Sequence, residues 1–299
     1  MTTNAQILKE LIDSKPIVKI CGAFDAMSAK LVENAGFDAI WAGSFAISAI
    51  NAVPDASILT MTEFFEAASK MVNACKIPII ADCDTGFGGP SNVSHMIKKY
   101  ENSGIAAVSI EDKIFPKQNS LLENGKQELI DEKDFVAKIV AARDAKQNKD
   151  FMIIARTEAL IAKQGMNEAL KRADAYEIAG ADAILIHSKK TDPSEILEFA
   201  DKWNGSIPLV VVPTSYPSVS LDELIEHKIK MVIYANQSLR VAHLSMLKVL
   251  KEISQANRLT DVNEKMSSME DIFSLQEMYN VKKLEHDINK ELKKWGYIN

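Results

Sequence analysis

The chain has 299 residues, of which 47% are hydrophobic and 25% are charged, and this composition provides ample apolar surface for a folded core. Acidic residues outnumber basic ones by 41 to 35, and the resulting net charge of −6 argues against a nucleic-acid-binding surface. The longest apolar runs have the length of strands, far below the ~20 residues that span a bilayer, and the polar N-terminus does not resemble a signal peptide. We expect a globular, cytoplasmic protein that binds neither nucleic acid nor membrane.

The chain contains three cysteines, Cys21, Cys75 and Cys83, and no two of them have CxxC spacing. An odd number without that spacing argues against both a disulfide framework and a zinc site. Cys83 lies between two aspartates, whose negative charge raises the pKa of a neighbouring thiol. We therefore predict that the cysteines are reduced core residues and that Cys83 is not a nucleophile.

Eight short apolar or β-branched runs recur along the chain, each nearly continuous, as in strands that are covered on both faces. They begin at Pro16, Asp38, Ile77, Ala106, Phe151, Ala181, Pro208 and Lys230. Helical patterns separate them, and several end at a glycine suited to a helix C-terminus. This alternation predicts a (β/α)8 TIM barrel, because parallel strands joined by right-handed crossovers close in this way. An open doubly wound sheet is less favoured, since no GxGxxG motif follows the first strand.

Two connections are longer than ordinary turns between a strand and the next helix. They span residues 45–60, after the second strand, and residues 113–130, after the fourth. Long loops in compact domains are usually functional. A final helix after the eighth strand completes a barrel domain that we assign to residues 1–255. Residues 256–299 look helical but have too little apolar surface for a domain of their own, so we predict a helical extension that packs on the barrel or on a neighbouring subunit.

The chemistry of such barrels takes place at the C-terminal ends of the strands, and candidate residues follow most of the predicted strands. In chain order they are Trp41, Gly43, Ser44, Asp82, Asp84, Glu111, Asp112, Arg156, Glu158, His187 and Asn236. Charged and amide groups from at least five strands should therefore meet at one rim of the barrel.

A metal site is predicted at the end of the third strand. Asp82 and Asp84 occupy alternate positions, so their carboxylates should point the same way and repel one another unless a cation lies between them. Glu111, from the adjacent strand, would be the third acid. Oxygen ligands without histidine or cysteine favour Mg²⁺ or Mn²⁺ over zinc. The alternative is that Asp82 or Asp84 caps the next helix or forms a turn with Thr85 and Gly86.

Arg156 and His187 follow the fifth and sixth strands. Each has a structural alternative, because Arg156 could form a salt bridge with Glu158 and a lone histidine after an apolar run is commonly a satisfied core residue. Beside a cation held by carboxylates, the two side chains instead suggest a clamp for phosphoryl or carboxylate oxygens.

The stretch "EDKIFPKQNS", residues 111–120, leaves the fourth strand and begins the second long loop. Its Lys117, Asn119 and Ser120 can reach over an anionic substrate, so we interpret the loop as a lid. A merely solvated loop would not need apolar side chains. Four of them should pack against the protein, namely Phe115, Pro116, Leu121 and Leu122.

The string Glu111-Asp112-Lys113, five residues, then Asn119-Ser120 resembles the EDK-x₅-NS signature of the phosphoenolpyruvate mutases, within the isocitrate lyase and phosphoenolpyruvate mutase superfamily. Further similar segments include "GAFDAMSAKLVENAGFDAIW", "ADCDTGFGG" and "VVPTSYP", so that the resemblance extends from about residue 15 to about residue 275. It implies a Mg²⁺-dependent barrel that interconverts phosphoenolpyruvate and phosphonopyruvate, a step of phosphonate biosynthesis. It also implies a homotetramer, built as a dimer of dimers, in which paired subunits exchange the last barrel helix.

The resemblance implies a role for each matching residue. Asp82 would hold Mg²⁺ most directly, and Asp84 and Glu111 would act chiefly through its waters. Asp55 and Lys117 would be catalytic groups on the two long loops. The phosphoryl group would be contacted by Arg156, His187 and Asn119, and the substrate carboxylate by Trp41 and the amides of Gly43, Ser44 and Phe45, with Ser120 nearby.

Some positions depart from the mutase pattern. The family's Trp-x-Ser-Gly is replaced by Trp41-Ala42-Gly43-Ser44, so the amide donors should survive while a serine contact to the carboxylate is in question.

The segments "AVPD", "GKQEL" and "VPTSYP" also resemble phosphonopyruvate hydrolases, in which the position of Asn119 is typically threonine. Asn119 favours the mutase. Lyases of the superfamily carry a cysteine in a KKCGH-like lid, which this loop lacks, and a non-catalytic scaffold would be expected to lose the acids or Arg156.

Overall fold

Eight parallel strands form a closed barrel in the computed structural model, which describes residues 2–298. In chain order they are β1 (Val18–Ala23), β2 (Ala39–Ala42), β3 (Ile79–Asp82), β4 (Ala107–Glu111), β5 (Met152–Thr157), β6 (Ala183–Ile186), β7 (Leu209–Val211) and β8 (Met231–Tyr234). Each strand pairs with the next, and β8 closes the barrel on β1, with Cys21 opposite Tyr234. The predicted (β/α)8 barrel is confirmed, with a strand in each of the eight predicted runs.

Helices connect the strands and continue beyond the last one. Those of the described residues are α1 (Asn4–Ser14), α2 (Ala26–Asn34), α3 (Ser44–Ile50), α4 (Met61–Ala74), α5 (Pro90–Asn102), α6 (Glu132–Ala145), α7 (Met166–Ala179), α8 (Ser194–Lys202), α9 (Leu221–Glu226), α10 (Gln237–Gln255), α11 (Met269–Leu275) and α12 (Met278–Lys294). Side chains fix several helix starts. In α4, Thr60 accepts from the Glu63 amide while Glu63 accepts from the Thr60 amide, a capping box that satisfies two donors of the first turn.

The strands are apolar on both faces because the barrel has two cores. Outward side chains such as Ile40 and Val108 pack in one cluster with the surrounding helices. Inward side chains such as Ile20 and Ile154 form a second cluster inside the barrel, which Leu8 of α1 joins. Helix α1 therefore helps to close the barrel interior, and the ends of the strands remain for a functional site.

Both long connections contain structure that the sequence patterns did not predict. The connection 45–60 was expected to be a loop, but α3 begins at Ser44, directly after β2. Its apolar Ala46 and Ile47 are buried, which explains why this segment is helical. The connection after β4 begins as an antiparallel clasp, in which Lys113 pairs with Leu129. The clasp brings the two ends of this loop together at the barrel rim.

The chain divides into two compact units, one up to Arg240 and one from Val241 onward. Helix α10 begins in the first unit and continues into the second, and α11 and α12 confirm the predicted helical character of the C-terminal residues. Between residues 2 and 298, no helix combines the length and the apolar character that crossing a bilayer requires.

Candidate active site

A cavity of about 310 Å³ lies where the C-terminal ends of the strands meet. It is lined by all but one of the residues that the sequence singled out for catalysis, substrate or metal, namely Trp41, Gly43, Ser44, Phe45, Asp55, Asp82, Glu111, Lys117, Asn119, Ser120, Arg156 and His187. The other one, Asp84, is buried and contacts Lys117. The structure therefore brings the predicted residues together from the C-terminal ends of five strands, β2 to β6, and from the connections that follow them.

Asp82 is the last residue of β3, and its carboxylate is oriented by the start of α3. Oδ2 accepts hydrogen bonds from the Ser44 hydroxyl at 2.8 Å and from the Ser44 amide at 3.2 Å. Oδ1 accepts from the amide of Asp84 at 3.3 Å. These contacts hold the carboxylate at the cavity and engage both the hydroxyl and the amide of Ser44, of which the amide had been expected to bind the substrate carboxylate.

Asp84 lies beyond the strand, so the expected alternation with Asp82 does not apply. Its φ of 49° is left-handed, a conformation that aspartate tolerates better than most residues. Its Oδ1 lies 2.7 Å from Nζ of Lys117. Burial raises the pKa of Asp84, although Lys117 partly offsets this effect. An aspartate in this turn is therefore a buried, cation-paired acid rather than a simple cap for the next helix.

Lys117 carries a buried ammonium group from the second long loop into the acids of the barrel. Besides Asp84, its Nζ lies 3.0 Å from Asp55 Oδ1 and 3.2 Å from Ser44 Oγ. Burial alone would lower the pKa of Lys117, but the carboxylates of Asp84, Glu111 and Asp55 raise it well above its usual value. The side chain is therefore charged and occupies the place of a cation among the carboxylates.

The tip of this loop is fastened to the other long connection. Asn119 Nδ2 donates to Asp55 Oδ2 at 2.7 Å, and the Lys117 amide donates to Ser57 Oγ at 3.1 Å. The loop thus lies over the cavity, as the lid interpretation requires. Three of the apolar side chains of the loop, however, are exposed, namely Phe115 at 58%, Leu122 at 53% and Pro116. The prediction that they pack on the protein is wrong, whereas Leu121 lines the cavity.

Arg156 has both of the roles that its sequence position allowed, a salt bridge with Glu158 and a place in the cavity. Its Nε pairs with Glu158 Oε1, as a structural salt bridge would, while its side chain also lines the cavity. Its Nη2 donates to Ser120 Oγ at 3.2 Å and lies 2.8 Å from His187 Nδ1. Although burial opposes charge on Glu158, Arg156 above all holds the pKa of that carboxyl well below its usual value. Glu158 therefore serves as the fixed counter-ion of Arg156.

His187 is buried and neutral. Burial, and next the charge of Arg156, lower the pKa of its imidazole. Its Nδ1 faces Arg156 Nη2 at 2.8 Å and, less closely, Glu158 Oε1 at 3.1 Å. We assign Nδ1 as the acceptor from Arg156, because this is the shorter contact and the lowered pKa favours a neutral ring. The remaining proton is then on Nε2, where it can be donated to a ligand oxygen.

Glu111, at the end of β4, is 3% exposed. Its Oε2 lies 3.4 Å from Arg156 Nε, while within residues 2–298 no hydrogen-bond donor reaches its buried Oε1. Burial raises the pKa of Glu111 to about 7, and the nearby cations Arg156 and Lys117 only partly offset this. A buried carboxylate oxygen without a donor is unfavourable, so this position calls for a proton or another cation.

We predict that Glu111→Gln stabilises the metal-free protein at pH 8. The pKa of about 7 exceeds the usual 4.5, so protonation of Glu111 favours the folded state; this contribution is full below about 4.5 and is lost as the pH rises through 7. Glutamine removes the buried charge, and we expect a gain of about 1–3 kcal/mol in the free energy of unfolding at pH 8. Denaturation in chelator at pH 5.5 and pH 8 measures it, with the exposed Glu226→Gln as control. An equal effect at both pH values would contradict the prediction.

The charges at the cavity are out of balance and fit an added divalent cation. Five acids lie at or beside it, namely Asp55, Asp82, Asp84, Glu111 and Glu158, against the four bases Lys113, Lys117, Arg156 and Arg240. The oxygen donors and the unpaired Glu111 Oε1 suit a hard cation such as Mg²⁺. Residues 2–298 contain no group of three or more His, Cys, Asp or Glu side chains arranged to hold a metal, and the ammonium of Lys117 lies among the acids instead.

Sequence reasoning missed several residues of the site. Lys113 is almost fully buried beside Glu158, and Thr214 and Arg240 line the cavity with Asn236. Glu158 and Asn236 had been found by their place at a strand end, but without a role in the site. The expectation for Cys83 is confirmed: the thiol is buried, and burial followed by the charges of its aspartate neighbours raises its pKa well above the usual value.

Comparison with known proteins gives a consistent result over nearly the whole chain. A family model described as phosphoenolpyruvate phosphomutase matches residues 8–254. A phosphoenolpyruvate phosphomutase from Tetrahymena pyriformis is 42% identical over 275 residues, which are 92% of each chain.

Two solved structures have the same fold. A phosphoenolpyruvate phosphomutase from Streptomyces platensis subsp. rosaceus is 44% identical, with a TM-score of 0.93 over 95% of this chain and 98% of that one. A phosphonopyruvate hydrolase in complex with oxalate and Mg²⁺ is 40% identical, with a TM-score of 0.89 over the same shares. The chain belongs to the phosphoenolpyruvate mutase family, within the isocitrate lyase and phosphoenolpyruvate mutase superfamily.

Proposed function

We propose that this protein is a phosphoenolpyruvate mutase, which moves a phosphoryl group between carbon and oxygen of one substrate and so interconverts phosphonopyruvate and phosphoenolpyruvate. The observation that carries the proposal is a covered cavity that brings two kinds of chemical group together. Arg156, His187 and Asn119 offer donors for a phosphoryl group, and Asp82 and Glu111 offer carboxylates for a cation. Such a reaction makes the carbon–phosphorus bond needed in phosphonate biosynthesis.

The reaction needs no covalent nucleophile. The carbon–phosphorus bond breaks to leave a pyruvate enolate and a metaphosphate-like group, and the enolate oxygen then forms the new bond to phosphorus. Arg156 supplies fixed positive charge to the phosphoryl oxygens, and His187 and Asn119 supply N–H donors. Because Glu158 and Asp55 already orient Arg156 and Asn119, these groups need little rearrangement as charge develops.

The substrate carboxylate would be seated at the start of α3. The Ser44 hydroxyl and amide are engaged with Asp82, so in this chain the amides of Phe45 and Ala46 are the better donors, since the first turn of a helix lacks intrahelical acceptors. Trp41 forms the adjoining wall of the cavity. The exchange of the family's Ser-Gly order for Gly43-Ser44 therefore leaves a workable carboxylate site.

We propose Mg²⁺ as the cofactor, with Mn²⁺ as a substitute, held by Asp82 with Asp84 and Glu111 contributing to the same site. The cation would neutralise the charge that develops on the enolate. The proposal is supported by the excess of carboxylates, by the unpaired Oε1 of Glu111 and by the Mg²⁺ in the similar hydrolase structure.

Exclusion of water is the remaining requirement, because a metaphosphate-like group that meets water becomes inorganic phosphate. The loop that carries Lys117 and Asn119 covers the cavity through its contacts with Asp55 and Asp84. We propose that this loop is the lid and that Asp55 and Lys117 act in catalysis by holding it closed and by orienting Asn119.

Phosphonopyruvate hydrolysis is the second candidate, and the 40% identity to a hydrolase of the same fold favours it. One assay decides between them: phosphonopyruvate and Mg²⁺ are supplied to the protein, and the products are followed by phosphorus NMR. We expect phosphoenolpyruvate as the main product. Dominant phosphate with an equal amount of pyruvate would establish the hydrolase, and unchanged substrate would point to a lyase or a non-catalytic scaffold.

We also propose a homotetramer, a dimer of dimers with exchanged α10, in the cytoplasm. Helix α10 supports this assembly because its apolar Val241, Leu244 and Leu250 are more than half exposed, and exposed apolar surface of this kind favours a protein partner. The free cysteines are compatible with a reducing compartment.

A further inference from the structure

Lys113 has no role in the chemistry proposed above, yet its ammonium is buried beneath the loop of residues 113–129. The side chain is 2% exposed. Its Nζ donates to the Gln118 carbonyl oxygen at 2.8 Å and to Ser120 Oγ at 2.6 Å, and it lies 3.4 Å from Glu158 Oε2. These acceptors match the three N–H donors of a lysine ammonium.

The main chain of Lys113 belongs to the barrel side of the loop. The Asp112 amide donates to the Arg156 carbonyl at 3.2 Å, and the Ile130 amide donates to the Asp112 carbonyl at 2.9 Å. Lys113 itself pairs with Leu129 in the clasp. Its backbone is therefore fixed, while two of its three acceptors belong to the tip of the loop.

Opening the loop would therefore break the contacts of a buried charge. If the segment 118–120 moved away, the ammonium would retain only Glu158, which already pairs with Arg156. A buried cation that loses its partners is strongly disfavoured. The same movement would separate Ser120 from Glu158, which it contacts at 2.6 Å, so the closed loop and the anchored Glu158 stabilise one another.

We propose that Lys113 is a positioning residue that latches the loop in its closed state, and thereby keeps Asn119 and Ser120 over the cavity. Lys113 acts through Gln118, Ser120 and Glu158 and does not touch the substrate. Its effect on products rests on the proposed mutase function, whereas its effect on loop opening does not.

Lys113→Met tests the latch, because methionine preserves most of the side-chain length and removes the charge. Thermolysin cleavage before Leu121 or Leu122, located by mass spectrometry, reports loop opening, since proteolysis requires the segment to leave the surface. We expect cleavage to accelerate about tenfold while global unfolding changes much less. Phosphorus NMR should show a larger share of phosphate and pyruvate from phosphonopyruvate. The matched control is Lys126→Met, an exposed lysine of the same loop, which should change neither readout.

If a folded Lys113→Met protein showed the same rate of loop cleavage and the same product ratio as the wild type, the proposal would be overturned. Should that variant not fold, Ser120→Ala removes one acceptor of the ammonium and should also accelerate loop cleavage; unchanged cleavage there would overturn the proposal equally. If the wild-type protein releases mainly phosphate, the mutase function fails, but the cleavage comparison still decides the latch.

Discussion

Replacing Asp82 with alanine is expected to lower turnover of phosphonopyruvate by about a thousandfold, which corresponds to roughly 4 kcal/mol of transition-state stabilisation. Asp82 ends β3, lines the cavity and is the proposed direct ligand of the metal. Without it, Asp84 remains paired with Lys117 and Glu111 alone cannot hold the cation. Phosphorus NMR measures the loss, and the increase in Tm on adding Mg²⁺ should disappear in the same variant.

Two further variants separate loss of the metal from damage to the fold. Asp82→Asn keeps an oxygen that can accept from Ser44 but removes the charge, so it should fold normally and still lose the Mg²⁺-dependent increase in Tm. Asp174→Ala, at an exposed position of α7, should change neither activity nor metal response. Near-normal activity of Asp82→Ala that is insensitive to chelator would show that the cation site is wrongly assigned.

The barrel and the rim of the site could be predicted from the sequence because both depend on local patterns. Continuously apolar runs separated by helices define the strands, and the residue that ends each strand is placed at the rim by the architecture. Asp82, Glu111 and Arg156 were found in this way. The same reasoning failed at Asp84. Strand β3 ends at Asp82, and in the following turn, where Asp84 has a φ of 49°, successive side chains no longer point to alternate faces.

Contacts between distant loops left no comparable trace in the sequence. The hydrogen bond from Asn119 to Asp55 joins residues 64 positions apart, and nothing in either segment indicates the other. Lysine is among the residues least often buried, so Lys113 looked like an ordinary loop residue. Its burial depends on Glu158, which the barrel brings next to it. The exposed Phe115 and Leu122 were misjudged for the same reason, since packing depends on the surface that the fold provides.

The cavity contains buried acids that destabilise the metal-free protein and that the proposed reaction nevertheless requires. Glu111 and Asp84 have raised pKa values because their charges are buried, which is unfavourable without a cation. Lys117, delivered by the lid, offsets part of that charge. Closure of the lid and neutralisation of the acids are thus linked, and the loop has an electrostatic reason to remain over the site as well as a chemical one.

Arg156→Lys should lower the turnover of phosphonopyruvate by about 10²- to 10³-fold, although the positive charge is retained. The guanidinium contacts Glu158, Ser120 and His187 at once, whereas a lysine ammonium is a point charge that cannot reproduce this planar arrangement. His187 would also lose the donor that fixes its tautomer.

Turnover and KM measured by phosphorus NMR or by release of pyruvate test this expectation, with the exposed Arg258→Lys as the matched control. If the geometry of the guanidinium is what matters, turnover should fall far more than KM rises, because the lost contacts develop as charge moves onto the phosphoryl oxygens. A variant that kept wild-type turnover would instead mean that Arg156 is only the structural partner of Glu158, and the phosphoryl side of the cavity would have to be assigned to other donors.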